Sequence, residues 1–159
     1  MERVASLDFV RKGDNLFITG CSGTGKSYLA TALGYEACKA GIRVLYANAS
    51  KLMGTLKIAK NKGTIETELK KIEKTQLLIL DDLFLVPLDA KERASHGNHR
   101  RQARRKSIIV TSQLPELYWY DAIGDTTVAD AILDRIVHTA HRITLTGESV
   151  CKLKAFKSR

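Results

Sequence analysis

Residues 20–27 are Gly20-Cys21-Ser22-Gly23-Thr24-Gly25-Lys26-Ser27, and they match the phosphate-binding pattern G-x-x-x-x-G-K-[ST]. The apolar run at 16–19 predicts a buried strand before this loop, and Leu29, Leu33 and Ala37 follow it at helical spacing. Glycines let the backbone curl until its N–H groups face phosphate oxygens, and a helix N-terminus adds partial positive charge. The sequence therefore predicts a phosphate-binding loop between a strand and a helix. The alternative is a chance glycine-rich turn.

Two side chains of the loop are predicted to act directly on a bound nucleotide. The Lys26 ammonium reaches the β- and γ-phosphates, and the Ser27 hydroxyl ligates Mg²⁺. The predicted nucleotide-binding residues are Gly20, Cys21, Ser22, Gly23, Thr24, Gly25, Lys26, Ser27 and Tyr28.

Length and composition indicate one soluble domain. The 159 residues suffice for a real core, and 44% apolar and 27% charged residues are typical of a globular protein. No apolar run approaches the ~20 residues of a membrane span, and the first six residues do not resemble a secretory signal. Cys21, Cys38 and Cys151 show no metal-ligand spacing, which indicates reduced thiols. We expect a cytoplasmic protein with no membrane partner.

The charge balance suggests a polyanionic partner. A net charge of +9 and a pI near 9.6 make nucleic acid the first candidate, with a solvated basic surface as the alternative. Lysines at 57, 60, 62, 70, 71 and 74 cover the outer faces of two predicted helices. They form either a solvated face or a DNA groove.

Strands and helices alternate along the chain. Further strands are predicted at 42–47, 77–80, 107–111 and 141–145, and further helices at 65–72, 115–122, 126–138 and after Ser50, the expected N-cap. This order predicts a three-layer α/β/α fold with a mostly parallel five-stranded sheet. The expected domains are a surface lead-in at 1–15, the core at 16–146, and a basic, mobile tail at 147–159.

Polar residues end two of the predicted strands. Asp81 and Asp82 follow the apolar run at 77–80, and Gln113 follows the run at 107–111. In a parallel sheet these positions share the edge with the glycine-rich loop, where ligands bind. We interpret Asp81 as a Mg²⁺ partner, Asp82 as the group that orients or deprotonates the attacking water, and Gln113 as a γ-phosphate sensor. The alternative is a set of ordinary polar residues at strand ends.

One arginine could complete such a site from a neighbouring subunit. Arg135 lies on a predicted amphipathic helix whose Ile132 and Ile136 face inward, which would leave the guanidinium near the surface. An arginine supplied in trans neutralises charge in phosphoryl transfer and raises its rate by ~10³ or more. By spacing alone, a solvated surface arginine is the more common case.

Together these motifs resemble a known family, the AAA+ domain of the IstB transposition-helper ATPases, which are relatives of the DnaC helicase loaders. The resemblance spans nearly the whole chain. It is most specific in the C-terminal block, and it rests on residues 20–27, 33–38, 77–82, 109–115, 119–135, 138, 140–142 and 147–149.

The resemblance implies an ATP-dependent, DNA-binding ATPase that helps a transposase engage its target. It also implies a ring or filament with ATP between subunits, Arg135 as the trans arginine finger, and no helical lid domain. A DnaC-like helicase loader is the nearest alternative. A P-loop small-molecule kinase and a decayed copy that binds nucleotide without efficient hydrolysis are the others.

The chain departs from the family pattern in three respects. It begins only a few residues before the lead-in at 8–10, whereas the family has an N-terminal helical region in front of this lead-in. This difference suggests a fragment or truncated copy. Asp82 and Gln113 replace the more general AAA+ glutamate and asparagine. Residues 96–103 lack the apolar face of the family's helix. Codons that can encode them also encode Met-Glu-Ile-Ile-Glu-Asp-Arg one base later, so we hypothesise a local frameshift, with a His- and Arg-rich DNA-binding arm as the alternative.

Overall fold

The computed structural model describes residues 7–83, 106–115, 118–119 and 140–147. Four helices lie in these ranges: α1 (Asp8–Lys12), α2 (Lys26–Lys39), α3 (Ala49–Asn61) and α4 (Ile65–Glu73). The five strands are β1 (Asn15–Gly20), β2 (Val44–Asn48), β3 (Leu77–Leu83), β4 (Ser107–Ser112) and β5 (Ala140–Leu145). Most of the predicted helices at 115–122 and 126–138, the tail and the segment 96–103 lie outside the described residues.

The strands form one sheet in the order β2-β3-β4-β1-β5, and every neighbouring pair is parallel. This confirms the predicted parallel five-stranded sheet, whose strand bounds differ from the expected ones by at most three residues. Strand β1 lies between β4 and β5, so both of its edges are hydrogen-bonded. The carboxyl ends of all five strands therefore meet at one edge of the sheet.

Two apolar clusters cover the two faces of this sheet. Leu16 and Ile18 join the larger cluster, which includes Leu33 of α2, whereas Phe17 joins the smaller one. Successive side chains of a strand point to opposite faces, so the alternation along β1 separates the clusters. In the smaller cluster the Phe17 and Trp119 rings meet edge to face, with centroids 4.7 Å apart. Such edge-to-face packing adds about 0.5–1.5 kcal/mol to the burial of area.

The segment expected to be a surface lead-in contributes to the core. Helix α1 buries Phe9 and Val10 in the larger cluster together with Leu7. The Phe9 carbonyl accepts a hydrogen bond from the buried Ser107 hydroxyl at the start of β4. Gly13 ends α1 at φ 76°, a conformation that glycine adopts without steric cost. Residues 7–12 therefore anchor the sheet's amino-terminal edge.

Helix α2 packs closely on the sheet because it carries a glycine at the contact. A Cβ on Gly34 would lie 2.7 Å from the Cδ1 of Ile79, so no larger residue fits without a shift. The helix ends as predicted before Gly41, which has φ 78°. Ala30, Leu33 and Ala37 are buried along its inner face.

The start of α3 differs from the sequence-based expectation. Its N-cap is Asn48, the last residue of β2, whose Oδ1 accepts the Lys51 N–H at 3.2 Å. The predicted cap, Ser50, instead lies inside the first turn. The prediction was wrong because β2 runs directly into the helix, so a strand residue supplies the capping oxygen. Helix α3 ends at Asn61, and Gly63 makes the turn into α4 at φ 71°.

Candidate nucleotide site

The glycine-rich loop connects the carboxyl end of β1 to the first turn of α2. Gly20, Gly23 and Gly25 have φ values of 151°, 78° and 90°, which L side chains rarely adopt. A Cβ on Gly20 would also lie 2.5 Å from the Leu145 carbonyl oxygen of β5. The glycine pattern is thus required by backbone conformation at three positions and by a close backbone approach at Gly20.

Lys26 is the least expected feature of the loop because its charged side chain is buried. It is only 5% exposed, and its Nζ donates to the Cys21 carbonyl at 2.6 Å. Within the described residues, no carboxylate lies within ion-pair distance of this ammonium. The Thr24 hydroxyl donates to the same Cys21 carbonyl at 2.9 Å. A buried cation without an anionic partner is costly, so the loop is electrostatically suited to an anion.

The Asp81 carboxylate lies directly below this loop and accepts hydrogen bonds from three hydroxyl groups. Ser27 Oγ and Thr111 Oγ1 donate to Oδ1 at 2.9 and 2.5 Å. Tyr46 donates to Oδ2 at 2.5 Å. Asp81 is 5% exposed, and these donors fix the orientation of its carboxylate. One side chain thus connects the loop, β2, β3 and β4.

A bulge at the end of β3 presents Asp82 in an unusual backbone conformation. Asp81 and Asp82 together oppose only Thr111 of β4, because Leu80 pairs with Val110 and Leu83 with Ser112. Asp82 has φ 57°, and its N–H donates to Thr111 Oγ1 at 2.9 Å. Bulges re-aim side chains beside functional sites, and a non-glycine residue held at positive φ stores strain there. No hydrogen bond to the Asp82 carboxylate is present in the described part of the chain.

Gln113 lies at the same edge, one residue beyond the end of β4, and its side chain is exposed. The preceding Ser112 fixes this turn, since its hydroxyl donates to the Leu83 carbonyl and accepts the Leu114 N–H, both at 3.1 Å. Among the predicted site residues the structure thus brings together the loop, Asp81, Asp82 and Gln113. Arg135 lies outside the described residues.

Two residues of the predicted set have exposed side chains, whereas two residues outside it contact Asp81. Cys21 is exposed at the loop, and Tyr28 is 81% exposed on the first turn of α2. Neither contributes a described hydrogen bond to the site from its side chain. In contrast, Tyr46 and Thr111 bind Asp81 although sequence reasoning missed both. No sequence pattern marks either residue, because both reach Asp81 through the pairing of β2 and β4 with β3.

The chain matches a known family along almost its entire length. The profile of the family described as IstB-like ATP binding protein covers residues 1–158. The chain belongs to this family. Two insertion sequence ATP-binding proteins of Sinorhizobium fredii are 44% and 46% identical to it, over 92% and 95% of this chain. The ATP-binding protein of insertion sequence IS21 from Pseudomonas aeruginosa is 35% identical over 94% of the chain. The chain spans 57–62% of the length of these relatives.

Solved structures share the fold of this IstB-like chain. DnaI superposes with a TM-score of 0.76 and 25% identity, covering 91% of this chain and 82% of DnaI. AMPPCP-bound DnaA from Aquifex aeolicus gives a TM-score of 0.72 and 25% identity, covering 98% of this chain and 48% of DnaA. The family and these neighbours confirm the predicted AAA+ P-loop fold. No described helix of the IstB-like chain is long and apolar enough to cross a membrane.

The donor set at Ser27 and Asp81 fits a magnesium ion. Both groups offer hard oxygen donors, and Mg²⁺ is usually held by one or two carboxylates together with substrate phosphates and waters. The Ser27 hydroxyl uses its proton on Asp81 at 2.9 Å, so its lone pairs remain for a metal. Asp81 already accepts three hydrogen bonds, so it is suited to contact the magnesium ion indirectly, through Ser27 or through a metal-bound water.

The Tyr46 phenol gives this IstB-like site a pH dependence that can be measured. Partial burial beside Asp81, followed by the hydrogen bond and charge of Asp81, raises the pKa of Tyr46 to about 12, although the residue as a whole is 47% exposed. An unfolded tyrosine titrates near ~10. The stability that Tyr46 contributes is therefore fully present below pH ~10 and is lost between pH ~10 and ~12, where only the unfolded chain deprotonates.

We expect Tyr46→Phe to be less stable than wild type at pH 8, by about 0.5–1.5 kcal/mol for the lost hydrogen bond. The difference should shrink steadily between pH 10 and 12. Urea denaturation at pH 8, 10 and 11 measures this difference. Tyr35→Phe is the matched control, because Tyr35 is 65% exposed on α2 and makes no hydrogen bond to Asp81. A difference for Tyr46→Phe that does not change with pH would contradict the assignment.

Proposed function

We propose that this chain is an ATP-hydrolysing, DNA-binding helper of an insertion-sequence transposase. The observation that carries the nucleotide part is the buried Lys26 ammonium, which has only the Cys21 carbonyl as a described partner. A triphosphate in the loop supplies the missing negative charge, and the backbone N–H groups of a glycine-rich loop and the N-terminus of α2 favour the same ligand. The family description and the AMPPCP-bound neighbour support ATP as the nucleotide.

In this proposal each polar side chain has a separate task. Lys26 exchanges its bond to the Cys21 carbonyl for contacts with the β- and γ-phosphates. Ser27 and Asp81 hold Mg²⁺, which neutralises charge on the phosphate oxygens when bound. Asp82, whose carboxylate has no described hydrogen-bond partner, orients or deprotonates the attacking water. Gln113 contacts the γ-phosphate or that water through its amide.

The proposed site is completed by a second copy of the chain. Arg135 would enter it from the neighbouring subunit and neutralise charge in the transition state. A ring or filament of subunits follows from this arrangement, with ATP at each interface. The resemblance to IstB proteins supports this assignment, which rests on sequence alone.

DNA and a transposase are the proposed macromolecular partners. The family and the insertion-sequence relatives support a role beside a transposase. We place this role in the cytoplasm. The net charge of +9 favours a nucleic acid partner, held mainly through its phosphate backbone.

ATP turnover by this chain, with and without duplex DNA, tests the proposal. We expect slow hydrolysis to ADP and phosphate that rises when DNA is added. Phosphoryl transfer to a metabolite with no DNA response would favour a kinase instead. ATP binding without any turnover would identify a copy that only binds nucleotide. Co-purification with a replicative helicase rather than a transposase would favour a helicase loader instead.

A further inference from the structure

A second charged feature lies at the opposite edge of the sheet from the nucleotide site. Seven residues from the starts of β2, β3 and β4 and the end of α4 enclose an open groove of about 330 Å³. We call it the basal groove. It is lined by Arg43, Lys70, Glu73, Lys74, Thr75, Gln76 and Lys106.

The backbone beneath the basal groove is firmly held. The Arg43 carbonyl accepts the N–H groups of Gln76 and Leu77, and the Arg43 N–H donates to the Gln76 side chain at 3.0 Å. The Ser107 N–H donates to the Gln76 carbonyl at 3.1 Å. These bonds fix the relative positions of the three strand starts. The groove is thus a preformed surface, and binding there requires little reordering of the backbone.

One of the groove's cations is used within the protein, and three remain available. Lys106 Nζ donates at 3.2 Å to the Ile72 carbonyl near the end of α4, and burial lowers the pKa of Lys106. The side chains of Arg43, Lys70 and Lys74 are exposed and make no hydrogen bond or ion pair within the described residues. Glu73 is the single carboxylate in the lining. The groove therefore carries an excess of positive charge that nothing described neutralises.

The composition of the groove favours a phosphate backbone over an acidic protein. None of its seven lining residues is apolar. Protein interfaces have an apolar, often aromatic core, whereas binding to DNA phosphates needs only well-placed cations. ATP is not the occupant either, because Asp81 lies five residues along the chain from Gln76 of the groove, or about 17 Å at ~3.3 Å per strand residue. DNA and ATP could therefore be bound at the same time.

We propose that the basal groove binds the phosphate backbone of duplex DNA through Arg43, Lys70 and Lys74. This inference rests on the proposed function, since it locates the DNA that a transposase helper engages. Each phosphate contact changes the slope of log affinity against log salt by ~0.9. Lys70→Gln with Lys74→Gln should lower the slope by about 1.8, and adding Arg43→Gln should lower it by a further ~0.9.

The test of the groove is the salt dependence of binding to a random-sequence DNA duplex. Fluorescence anisotropy measures this binding with the whole chain and an ATP analogue. Between 50 and 200 mM salt, wild-type affinity should fall about tenfold more than that of the double variant. Lys51→Gln with Lys57→Gln is the matched control, because it removes two exposed lysines from α3. The control should keep the wild-type slope, and all variants should keep their affinity for the analogue.

The possible outcomes separate the two proposals. A double variant with the wild-type slope, or a control that loses as much, would overturn the basal groove and leave the proposed function standing. Wild-type protein without any salt-dependent affinity for duplex DNA would overturn both. Thermal melting of each variant accompanies the measurement, and we expect wild-type melting temperatures because all four lysines are exposed.

Discussion

Replacing Lys26 by alanine should weaken the binding of a non-hydrolysable ATP analogue by about 10- to 150-fold. This range corresponds to the ~1.5–3 kcal/mol of a hydrogen bond that involves a charged group. Lys26 provides the only described cation within the loop, and its Nζ lies 2.6 Å from the Cys21 carbonyl. The fold should survive the change, since Lys26→Ala removes one bond to a carbonyl and retains good helix propensity. Isothermal titration calorimetry gives the affinity.

A lysine from the same helix serves as the control for this experiment. Lys39 lies at the end of α2 and is 59% exposed, with a surface ion pair to Glu36 at 3.1 Å. Such pairs contribute about 0–1 kcal/mol, so Lys39→Ala should leave affinity for the analogue unchanged and stability nearly so. If Lys26→Ala bound the analogue as tightly as Lys39→Ala, the buried ammonium would not be the phosphate ligand.

The sequence predicted the structure correctly where a short stretch of residues specifies both the local conformation and its role. The pattern G-x-x-x-x-G-K-[ST] predicts both a conformation and a ligand, because its glycines must adopt positive φ and its lysine must face the same concavity. The apolar run at 77–80 similarly predicted β3, since a strand in the middle of a parallel sheet needs apolar residues along its length. These signals do not depend on distant residues.

Other features depend on register between strands, which a single sequence does not reveal. Tyr46 and Thr111 bind Asp81 only because β2 and β4 both pair with β3. The bulge that gives Asp82 its φ of 57° arises from the same pairing. Phe9 and Val10 were expected to pack at the edge of the fold, but their full burial was not predicted, because they form too short an apolar run to show a period. The pairing of strands that are distant in sequence thus determines the contacts around Asp81, which local sequence patterns could not predict.

Replacing Asp81 by asparagine should raise the Mg²⁺ concentration needed for tight binding of the ATP analogue by about 10- to 100-fold. Changes to groups that orient a metal site have effects of this size. The substitution removes one negative charge but keeps an oxygen that can accept from Ser27 and Thr111, as Asp81 Oδ1 does. Binding of the analogue without Mg²⁺ should stay close to wild type. Asp8→Asn, on the exposed start of α1, removes the same charge far from the loop and should change neither quantity.

Asp81→Ala separates the role of this carboxylate in the metal site from its role in the fold. Alanine offers no acceptor, so it leaves the fully buried Thr111 hydroxyl without the partner it has in the wild type. An unpaired buried polar group costs about 1–3 kcal/mol, so Asp81→Ala should unfold at lower urea concentration than Asp81→Asn, by that difference in the free energy of unfolding. Both variants should nevertheless need the same excess of Mg²⁺, because each lacks the charge. Equal stability of the two variants would mean that the hydroxyl groups around Asp81 find other partners. In that case the carboxylate would act on the metal alone.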